Sequence, residues 1–267
     1  MKPEMLYIIA VFVVFGTLEF FKTGFWNKKG QQRRDAVIEA VTISILLFVT
    51  QPLVLFLGYT LASVVAPNSA DLLANVGLPV QVLLLLVLDD MMQYWWHRLS
   101  HSFAPLYRLH RAHHDVGYLS VRVVYRNNLW YYFFMPSLWF VGILIYLGLG
   151  ELYAYYLAVK MTVITAAHSD VHWDEPLYKY KFLHPLMWVL ERTISTPSTH
   201  SAHHGLHLSD PNTHYKGNYG NLLFFWDVLF GTARITRGYP EGYGVENLPD
   251  ASVGELVAWP LWPSKKS

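Results

Sequence analysis

The chain has 267 residues, of which 53% are hydrophobic, 16% aromatic and 15% charged, with a net charge of +1 at pH 7. Soluble domains carry about 25% charged residues, so this composition argues against an ordinary soluble enzyme and favours one membrane-embedded unit. It also excludes a disordered chain, which would be poor in apolar residues. The weak net charge argues against a nucleic-acid partner. The chain has no cysteine, which excludes disulfides and thiolate metal sites, but it has 13 histidines.

Five apolar runs approach the ~20 residues that a membrane-crossing helix needs. They cover approximately residues 5–21, 41–66, 78–94, 129–149 and 152–167. The first is expected to be a retained helix, because no small-residue cleavage site follows it. Pro52 predicts a kink in the second. The turn signal at residues 148–151 predicts that the last two runs form a helical hairpin, which enters the membrane from one side.

The distribution of basic residues predicts the orientation, since short cytoplasmic loops are enriched in Lys and Arg. The segments after the first and third runs are basic, with Lys22, Lys28, Lys29, Arg33 and Arg34 in one and Arg98, Arg108, Arg111, Arg122 and Arg126 in the other. The loop at residues 67–77 holds neither Lys nor Arg. We therefore expect the N-terminus outside and the histidines on the cytoplasmic side, with residues from 170 onward forming a cap on the helix ends.

Ten histidines fall in four clusters. They read His97-x3-His101, His110-x2-His113-His114, His168-x3-His172 and His200-x2-His203-His204. A histidine frequency of about 0.05 predicts about 0.03 copies of His-x2-His-His in a chain of this length, so two copies are not a chance pattern. Residues three or four apart share one helix face, so each cluster can direct several imidazoles to one point. Ten ligands are too many for one tetrahedral ion and fit two metal ions.

Imidazole binds Fe, Cu, Zn and Ni, and an all-nitrogen donor set disfavours Mg and Ca. A metal-bound histidine usually donates its second N–H to a carboxylate or carbonyl. Four residues near the clusters are candidates for such an outer position: Asp90, Asp170, His207 and His214. Asp90 lies two helical turns before His97, on the same face. Asp170 lies between His168 and His172.

The motifs resemble those of the fatty acid hydroxylase/sterol desaturase superfamily over approximately residues 90–232. The resemblance is carried by the four histidine clusters and by these further blocks: Asp90-x3-Tyr94-x2-His97-Arg98, Thr196-Pro197-Ser198-Thr199-His200, Asn218-Tyr219-Gly220-Asn221 and Trp226-Asp227-x2-Phe230-Gly231-Thr232. With the apolar runs, it predicts a single all-α integral membrane domain over residues 1–267, with N-terminal transmembrane helices at 5–66. We expect about four to five transmembrane or hairpin helices and a cytoplasmic helical cap that carries a histidine-rich dimetal site.

The resemblance implies a non-haem di-iron monooxygenase (EC 1.14 type) that uses O₂ to hydroxylate a fatty acyl, sterol or related membrane lipid. It implies that the ten clustered residues are the metal ligands: His97, His101, His110, His113, His114, His168, His172, His200, His203 and His204. Zinc can replace iron in purified protein, because imidazole accepts either. A separate donor supplies the electrons, such as a cytochrome b5, a ferredoxin or a reduced pterin. The implied location is the bacterial inner membrane or the ER membrane.

Three alternatives stay open. A desaturase on the same dimetal site would remove two hydrogens instead of inserting oxygen. A membrane zinc hydrolase would need an open metal position beside a carboxylate base, and the chain has no HExxH motif. Metal transport or storage would place the ligands near the membrane midplane, whereas these clusters lie at the predicted helix ends.

The chain departs from the family pattern at Ser201-Ala202, where a basic residue is usual, and in the long segment between His204 and Asn218. Both departures bear on the substrate. We expect the lipid to enter through an apolar cleft among the helices. Four aromatic residues are candidates to line that cleft or to form an interfacial belt: Trp95, Trp96, Trp130 and Tyr131.

Overall fold

The computed structural model describes residues 3–262, and it contains helices and no β-strand within that range. The first helices are α1 (Pro3–Lys22), α2 (Arg33–Ile45), α3 (Gln51–Val65), α4 (Leu78–Leu85), α5 (Met92–Ser102), α6 (Ala104–His114) and α7 (Leu129–Phe134). They are followed by α8 (Pro136–Leu144), α9 (Gly150–His168), α10 (Glu175–Tyr178), α11 (His184–Thr193), α12 (Pro197–His203), α13 (Phe225–Leu229) and α14 (Val253–Ala258). Shorter π-helical turns lie at Leu46–Thr50, Leu86–Met91 and Ile145–Leu149, and 3₁₀ turns lie at Val121–Val123 and Lys181–Leu183.

Within the described residues, three helices are long and apolar enough to cross a membrane. The first is Pro3–Lys22, which is α1. The second, Arg33–Val65, consists of α2 and α3 with the π-helical turn between them, and the third, Pro136–His168, consists of α8 and α9 with the π-helical turn between them. The sequence predicts four to five spanning or hairpin helices. The predicted run at 78–94 is not among the three, because its apolar stretch ends at Asp89 and Asp90. The last two predicted runs both fall largely within Pro136–His168.

Two breaks in these helices have local causes. Pro52 has no N–H to donate within a regular helix. The hydrogen-bond pattern changes to a π-helical turn at Leu46–Thr50, just before the proline, and α3 continues beyond it. Gly148 adopts a φ of 101°, which a residue with a side chain takes up only with strain. The chain bends at Gly148, and residues of both α8 and α9 pack around the fully buried Leu85.

One pair of oppositely charged side chains lies buried between the apolar segments. Lys160 of α9 donates to Asp89 at 2.5 Å, and both side chains are almost fully buried. Such a pair is expected inside a membrane-embedded bundle, where an isolated charge is costly. Each member lies two helical turns before a clustered histidine on its own helix, Asp89 before His97 and Lys160 before His168. The pair therefore links the two helices that carry these histidines.

Helix α12, which carries the last histidine cluster, has a capped N-terminus. Thr196 caps α12: its hydroxyl accepts from the Thr199 backbone N–H, and the Thr199 hydroxyl accepts from the Thr196 N–H. Pro197 occupies the first turn, where no intrahelical N–H is needed. The cap fixes the start of a helix too short to be stable alone, and so fixes where its three histidines point.

Candidate metal centre

Nine of the ten clustered histidines converge in two groups. The five-histidine group comprises His97, His101, His110, His114 and His203, and the four-histidine group comprises His113, His168, His200 and His204. Within each group, one ring nitrogen from every member lies within 4.8 Å of the others. The groups are adjacent, since the rings of His114 and His204 stack with centroids 4.4 Å apart. Helix α6 contributes to both groups, because its three histidines occupy more than one face.

Hydrogen bonds fix the tautomer of five of these rings. In each, Nδ1 donates to an oxygen: His97 to the Tyr219 carbonyl (2.8 Å), His110 to Asn127 Oδ1 (2.8 Å), His203 to the Gly217 carbonyl (2.7 Å), His113 to the Val123 carbonyl (3.1 Å) and His168 to the Ile164 carbonyl (2.8 Å). A carbonyl oxygen accepts but does not donate, so the proton lies on Nδ1 and Nε2 presents its lone pair.

The inward Nε2 atoms lie close together. Those of His97, His101 and His203 are buried without a partner. In the four-histidine group, the Nε2 atoms of His113 and His168, whose protons are on Nδ1, lie 3.5 Å apart, and the Nε2 of His200 lies 2.9 Å from that of His168. Lone pairs that face one another in a buried site, such as those of His113 and His168, are stabilised by a cation between them. The donor set therefore fits two imidazole-bound metal ions.

Burial keeps the imidazoles in the neutral form that binds metal. Burial lowers the pKa of His97 to about 4, although its hydrogen bond to the Tyr219 carbonyl partly opposes this. Burial, followed by repulsion from neighbouring imidazoles, lowers the pKa of seven others well below the ordinary value: His101, His110, His113, His114, His200, His203 and His204. These groups are therefore ready to bind a cation at neutral pH without first losing a proton.

The segment at residues 217–220 supports the five-histidine group with its backbone. The Asp227 carboxylate accepts from the N–H groups of Tyr219 (2.8 Å) and Gly220 (2.6 Å), which fixes the turn whose Tyr219 carbonyl binds His97. A Cβ at Gly217 would collide with the His214 ring, and one at Gly220 would collide with the Leu223 carbonyl. The motif that includes Asn218-Tyr219-Gly220 and Trp226-Asp227 thus has a structural role in orienting ligands.

Asp90 does not bond to His97, contrary to the sequence-based expectation of a direct partner. Its carboxylate accepts from the backbone N–H groups of Leu222 (3.3 Å) and Leu223 (3.1 Å) and from Trp226 Nε1 (2.8 Å). The partner of His97 Nδ1 is instead the Tyr219 carbonyl, in the segment just before these donors. Asp90 therefore supports His97 indirectly, through the same segment that Asp227 orders.

The tenth clustered histidine, His172, belongs to neither group. Its backbone has a φ of 49°, and its ring stacks on Tyr239 with centroids 3.6 Å apart. Its Nε2 lies 3.4 Å from Asp170, whose other oxygen accepts from Lys28 (2.9 Å). Asp170 therefore contacts His172 but not the ring of His168. Helix α9 ends at His168, and the i, i+4 spacing that predicted a shared face does not continue beyond it.

The remaining two candidates also lie outside the groups. His207 is about half exposed, and its Nδ1 lies 3.4 Å from Glu246. His214 is closer to the site: its backbone N–H donates to the Ala202 carbonyl (2.6 Å), and its Nε2 lies 3.3 Å from the Thr232 carbonyl. It packs beside Gly217, whose carbonyl binds His203.

Sequence reasoning missed a carboxylate on the first helix. Glu19 of α1 is fully buried and accepts four hydrogen bonds, from the Ser120 hydroxyl (2.6 Å), the Val121 N–H (3.1 Å), the Ser169 hydroxyl (3.1 Å) and the Asp170 N–H (3.2 Å). One pair of donors lies at the start of the turn whose Val123 carbonyl binds His113, and the other follows His168 directly. An acidic residue inside an apolar run was the available signal.

Asn127 was also missed. It accepts from His110 and donates to the Tyr132 hydroxyl (3.0 Å). The preceding residue, Arg126, is fully buried and donates to Asp35 (2.8 Å) and to the carbonyls of Ala112 and Asp115. The polar triplet 126–128 between two apolar runs was a signal, but local periodicity does not reveal partners that lie this far along the chain.

Two of the four aromatic candidates lie against the site. The ring of Tyr131 stacks on His110 with centroids 4.9 Å apart, and Trp96 packs against Tyr131 at 5.7 Å. Both belong to an apolar cluster that includes Leu138 of α8. Trp95 packs on Phe230, and Trp130 packs on Phe133 and Phe134. Apolar side chains therefore reach the five-histidine group from the side of α7 and α8.

Together, residues 3–262 form an all-helical fold with three helices able to cross a membrane and two histidine groups. A sequence profile described as fatty acid hydroxylase matches residues 82–232, which is more than half of the chain. The chain belongs to the fatty acid hydroxylase family, and the resemblance expected from its motifs is confirmed.

The chain is similar to three curated proteins whose names state an enzymatic activity. Ornithine lipid hydroxylase OlsE of Rhizobium tropici is 32% identical over 155 residues, which cover 57% of this chain and 41% of that protein. Alkylglycerol monooxygenase of Danio rerio is 30% identical over 144 residues, and that of Homo sapiens is 25% identical over 148 residues; each match covers 54% of this chain and 28% of the relative. The chain thus spans less than half the length of these relatives. No solved structure matches it.

Proposed function

We propose that this protein is an O₂-dependent hydroxylase of a membrane lipid, an EC 1.14-type monooxygenase that binds two iron ions, one in each histidine group. The observation that carries the proposal is the convergence of nine neutral imidazoles in two buried groups beside apolar helices. The names of the relatives, a lipid hydroxylase and two monooxygenases, support the same reaction class.

The reaction is R–H + O₂ + 2 e⁻ + 2 H⁺ → R–OH + H₂O. Bound iron would supply the O₂ activation that side chains alone cannot perform. The described residues position the metal ligands and exclude bulk water. The five Nδ1 hydrogen bonds hold the rings so that Nε2 points inward, and the burial of the histidines keeps bulk water away from a site that handles a strong oxidant.

The approach of the lipid is proposed on the α7 and α8 side. Tyr131 connects the ring of His110 to the apolar cluster that contains Trp96 and Leu138. A hydrocarbon chain that packs against this cluster meets apolar surface up to the histidine ring. The substrate is a fatty acyl, sterol or related lipid. Its reacting carbon lies next to the ring of His110 and is oxidised beside the five-histidine group.

The two electrons are proposed to come from a separate donor, such as a cytochrome b5, a ferredoxin or a similar reductant. The protein is proposed to be a multi-pass protein of a bacterial inner membrane or ER membrane, with the histidine groups on the cytoplasmic side. Because the chain has no cysteine, single cysteines at Asn68 and Lys179 can test the orientation. A membrane-impermeant maleimide added to intact cells should label the first and not the second.

The decisive experiment compares whole-lipid mass spectra from cells that express the wild type or the double variant His203→Ala, His204→Ala. His184→Ala is the matched control, because His184 lies outside both groups and bonds to the Tyr178 carbonyl. We expect a lipid heavier by one oxygen atom in the wild type and in the control, and its absence in the double variant. Growth under ¹⁸O₂ should place the label in that lipid.

Other outcomes reassign the function. A lipid lighter by two hydrogens would identify a desaturase on the same site. Bound metal with no lipid change, in cells supplied with a competent electron donor and candidate lipids, would favour a metal-binding or transport protein. Incorporation of oxygen from water rather than from O₂ would contradict the proposal.

A further inference from the structure

The segment between His172 and His200 exposes an apolar surface. Five large apolar residues of the turn at 180–183 and of α11 are more than half exposed: Tyr180, Phe182, Leu186, Trp188 and Val189. Phe182 reaches 78% exposure. Helix α13, which packs beside α11, adds Phe225, Val228 and Leu229, each more than 40% exposed. We call these eight residues the α11–α13 apolar face.

Helix α11 differs in polarity from a soluble surface helix. Its carboxylate, Glu191, is only 1% exposed and Met187 is also buried, while Leu186, Trp188 and Val189 are more than half exposed. Glu191 is held inside by two hydrogen bonds from Arg237, at 2.9 and 2.7 Å. A surface helix in water turns its apolar stripe inward and its charged groups outward. The arrangement in α11 is stable where the medium outside the helix is apolar.

The rim of this face carries positive charge. Lys179 and Lys181 are exposed beside Tyr180 and Phe182, and Lys179 pairs with the exposed Glu175 at 3.5 Å. Arg192 lies over the Trp188 ring at 4.5 Å. Aromatic rings combined with basic side chains are typical of segments that lie in the headgroup region of a bilayer, where the cations meet anionic lipids.

The face also lies at the level where an apolar helical segment ends. Asp90, which follows the apolar stretch at residues 82–88, accepts from Trp226 of α13 and from Leu223 just before it. The N-terminal part of this helical segment exposes further apolar residues, including Leu78 and Leu83. The α11–α13 apolar face is therefore close to the boundary between an apolar exterior and the polar cap.

From these observations we propose that the α11–α13 apolar face is a membrane-contact surface, which lies in the boundary between headgroups and acyl chains of the bilayer and is anchored at its rim by anionic lipids. Ser195, two residues after the end of α11, donates to the carbonyls of Gly220 and Leu222 through its hydroxyl and its N–H, and α12 begins at Pro197. The bilayer contact is thus coupled to the segments that hold His97 and His200. This inference does not depend on the proposed enzymatic activity.

Site-directed spin labelling tests the inference on the full-length, metal-loaded protein, because the chain has no native cysteine. Single cysteines replace Leu186, Val189 and Leu229, all of them exposed, so the label disturbs little packing. The labelled proteins are placed in nanodiscs of phosphatidylcholine and phosphatidylglycerol, and collision with O₂ is compared with collision with a water-soluble nickel chelate. Val64→Cys, on a candidate span, is the lipid-facing control, and Glu241→Cys, at an exposed position outside the face and its rim, is the water-facing control.

We expect the ratio of O₂ to nickel accessibility at the three test positions to resemble that at Val64 and to exceed that at Glu241 several-fold. Replacing phosphatidylglycerol by phosphatidylcholine should lower this ratio at Leu186, and Lys179→Glu with Lys181→Glu should lower it in the same direction. A ratio equal to that at Glu241 would show a water-facing surface and overturn the inference. Low accessibility to both reagents would show contact with another protein or a second copy, and would overturn it equally.

Discussion

The two histidine groups have a similar donor set but different supports. In the five-histidine group, His97 and His203 are oriented by carbonyls of the segment at 217–219, and His110 is oriented by Asn127. In the four-histidine group, the oriented rings use the Val123 carbonyl and a carbonyl within α9 itself. The segments on either side of that second group are held by Glu19 of α1. The five-histidine group therefore depends on the segment at 217–219 and on Asn127, whereas the four-histidine group depends on the Val123 and Ile164 carbonyls and on segments held by Glu19 of α1.

The largest effect is expected from removing one ligand from each group. His101→Ala should remove the metal of the five-histidine group, and His200→Ala should remove that of the four-histidine group. Each should lower the hydroxylation rate by more than about 100-fold, since even outer partners of ligands contribute about 10- to 100-fold. Elemental analysis of the purified protein should show about half of the wild-type metal in each variant. If either variant loses all metal, the groups form one cooperative site and the comparison fails.

A smaller, selective effect is expected at Asn127. Asn127→Leu removes the acceptor for His110 Nδ1 and leaves that buried N–H unpaired. We expect metal affinity in the five-histidine group to fall by about 10- to 100-fold, while the metal of the four-histidine group is retained. Asn127→Asp keeps an acceptor and is the matched variant, with a milder loss. Chelator titrations that remove the two metals in separate phases measure this, and an equal weakening of both phases would contradict it.

Glu19 tests the opposite group. Glu19→Leu leaves four donors without their acceptor, and each unpaired buried group costs about 1–3 kcal/mol. We expect a lower thermal midpoint and preferential weakening of the metal in the four-histidine group. Glu19→Gln keeps one oxygen acceptor and should lie between Glu19→Leu and the wild type. A loss of stability with unchanged affinity in both chelator phases would limit Glu19 to a structural role.

The parts of the molecule that were predicted from sequence share one property: their geometry is local. Nine of the ten clustered histidines lie in the two groups, His172 being the exception, and four of the five apolar runs fall largely within the three long helices of the described residues. Contacts that join distant segments were not predictable in this way. Asp90 was expected to meet His97, seven residues away, but it bonds to Leu222 and Trp226, more than a hundred residues further along. Glu19 is likewise separated by about a hundred residues or more from its partners.

The smallest effect is expected at His172, where local spacing and structure differ. His172 has the sequence pattern of a ligand, yet its ring stacks on Tyr239 beyond the end of α9. His172→Ala should therefore retain both metals and lower the hydroxylation rate by less than about tenfold, below the range typical of outer partners of ligands. Tyr239→Leu, which removes the stacking partner, should have an effect of the same size. If His172→Ala instead loses metal as His200→Ala does, His172 is a ligand of the four-histidine group. The ring would then leave Tyr239 when metal binds, and both groups would have five histidines.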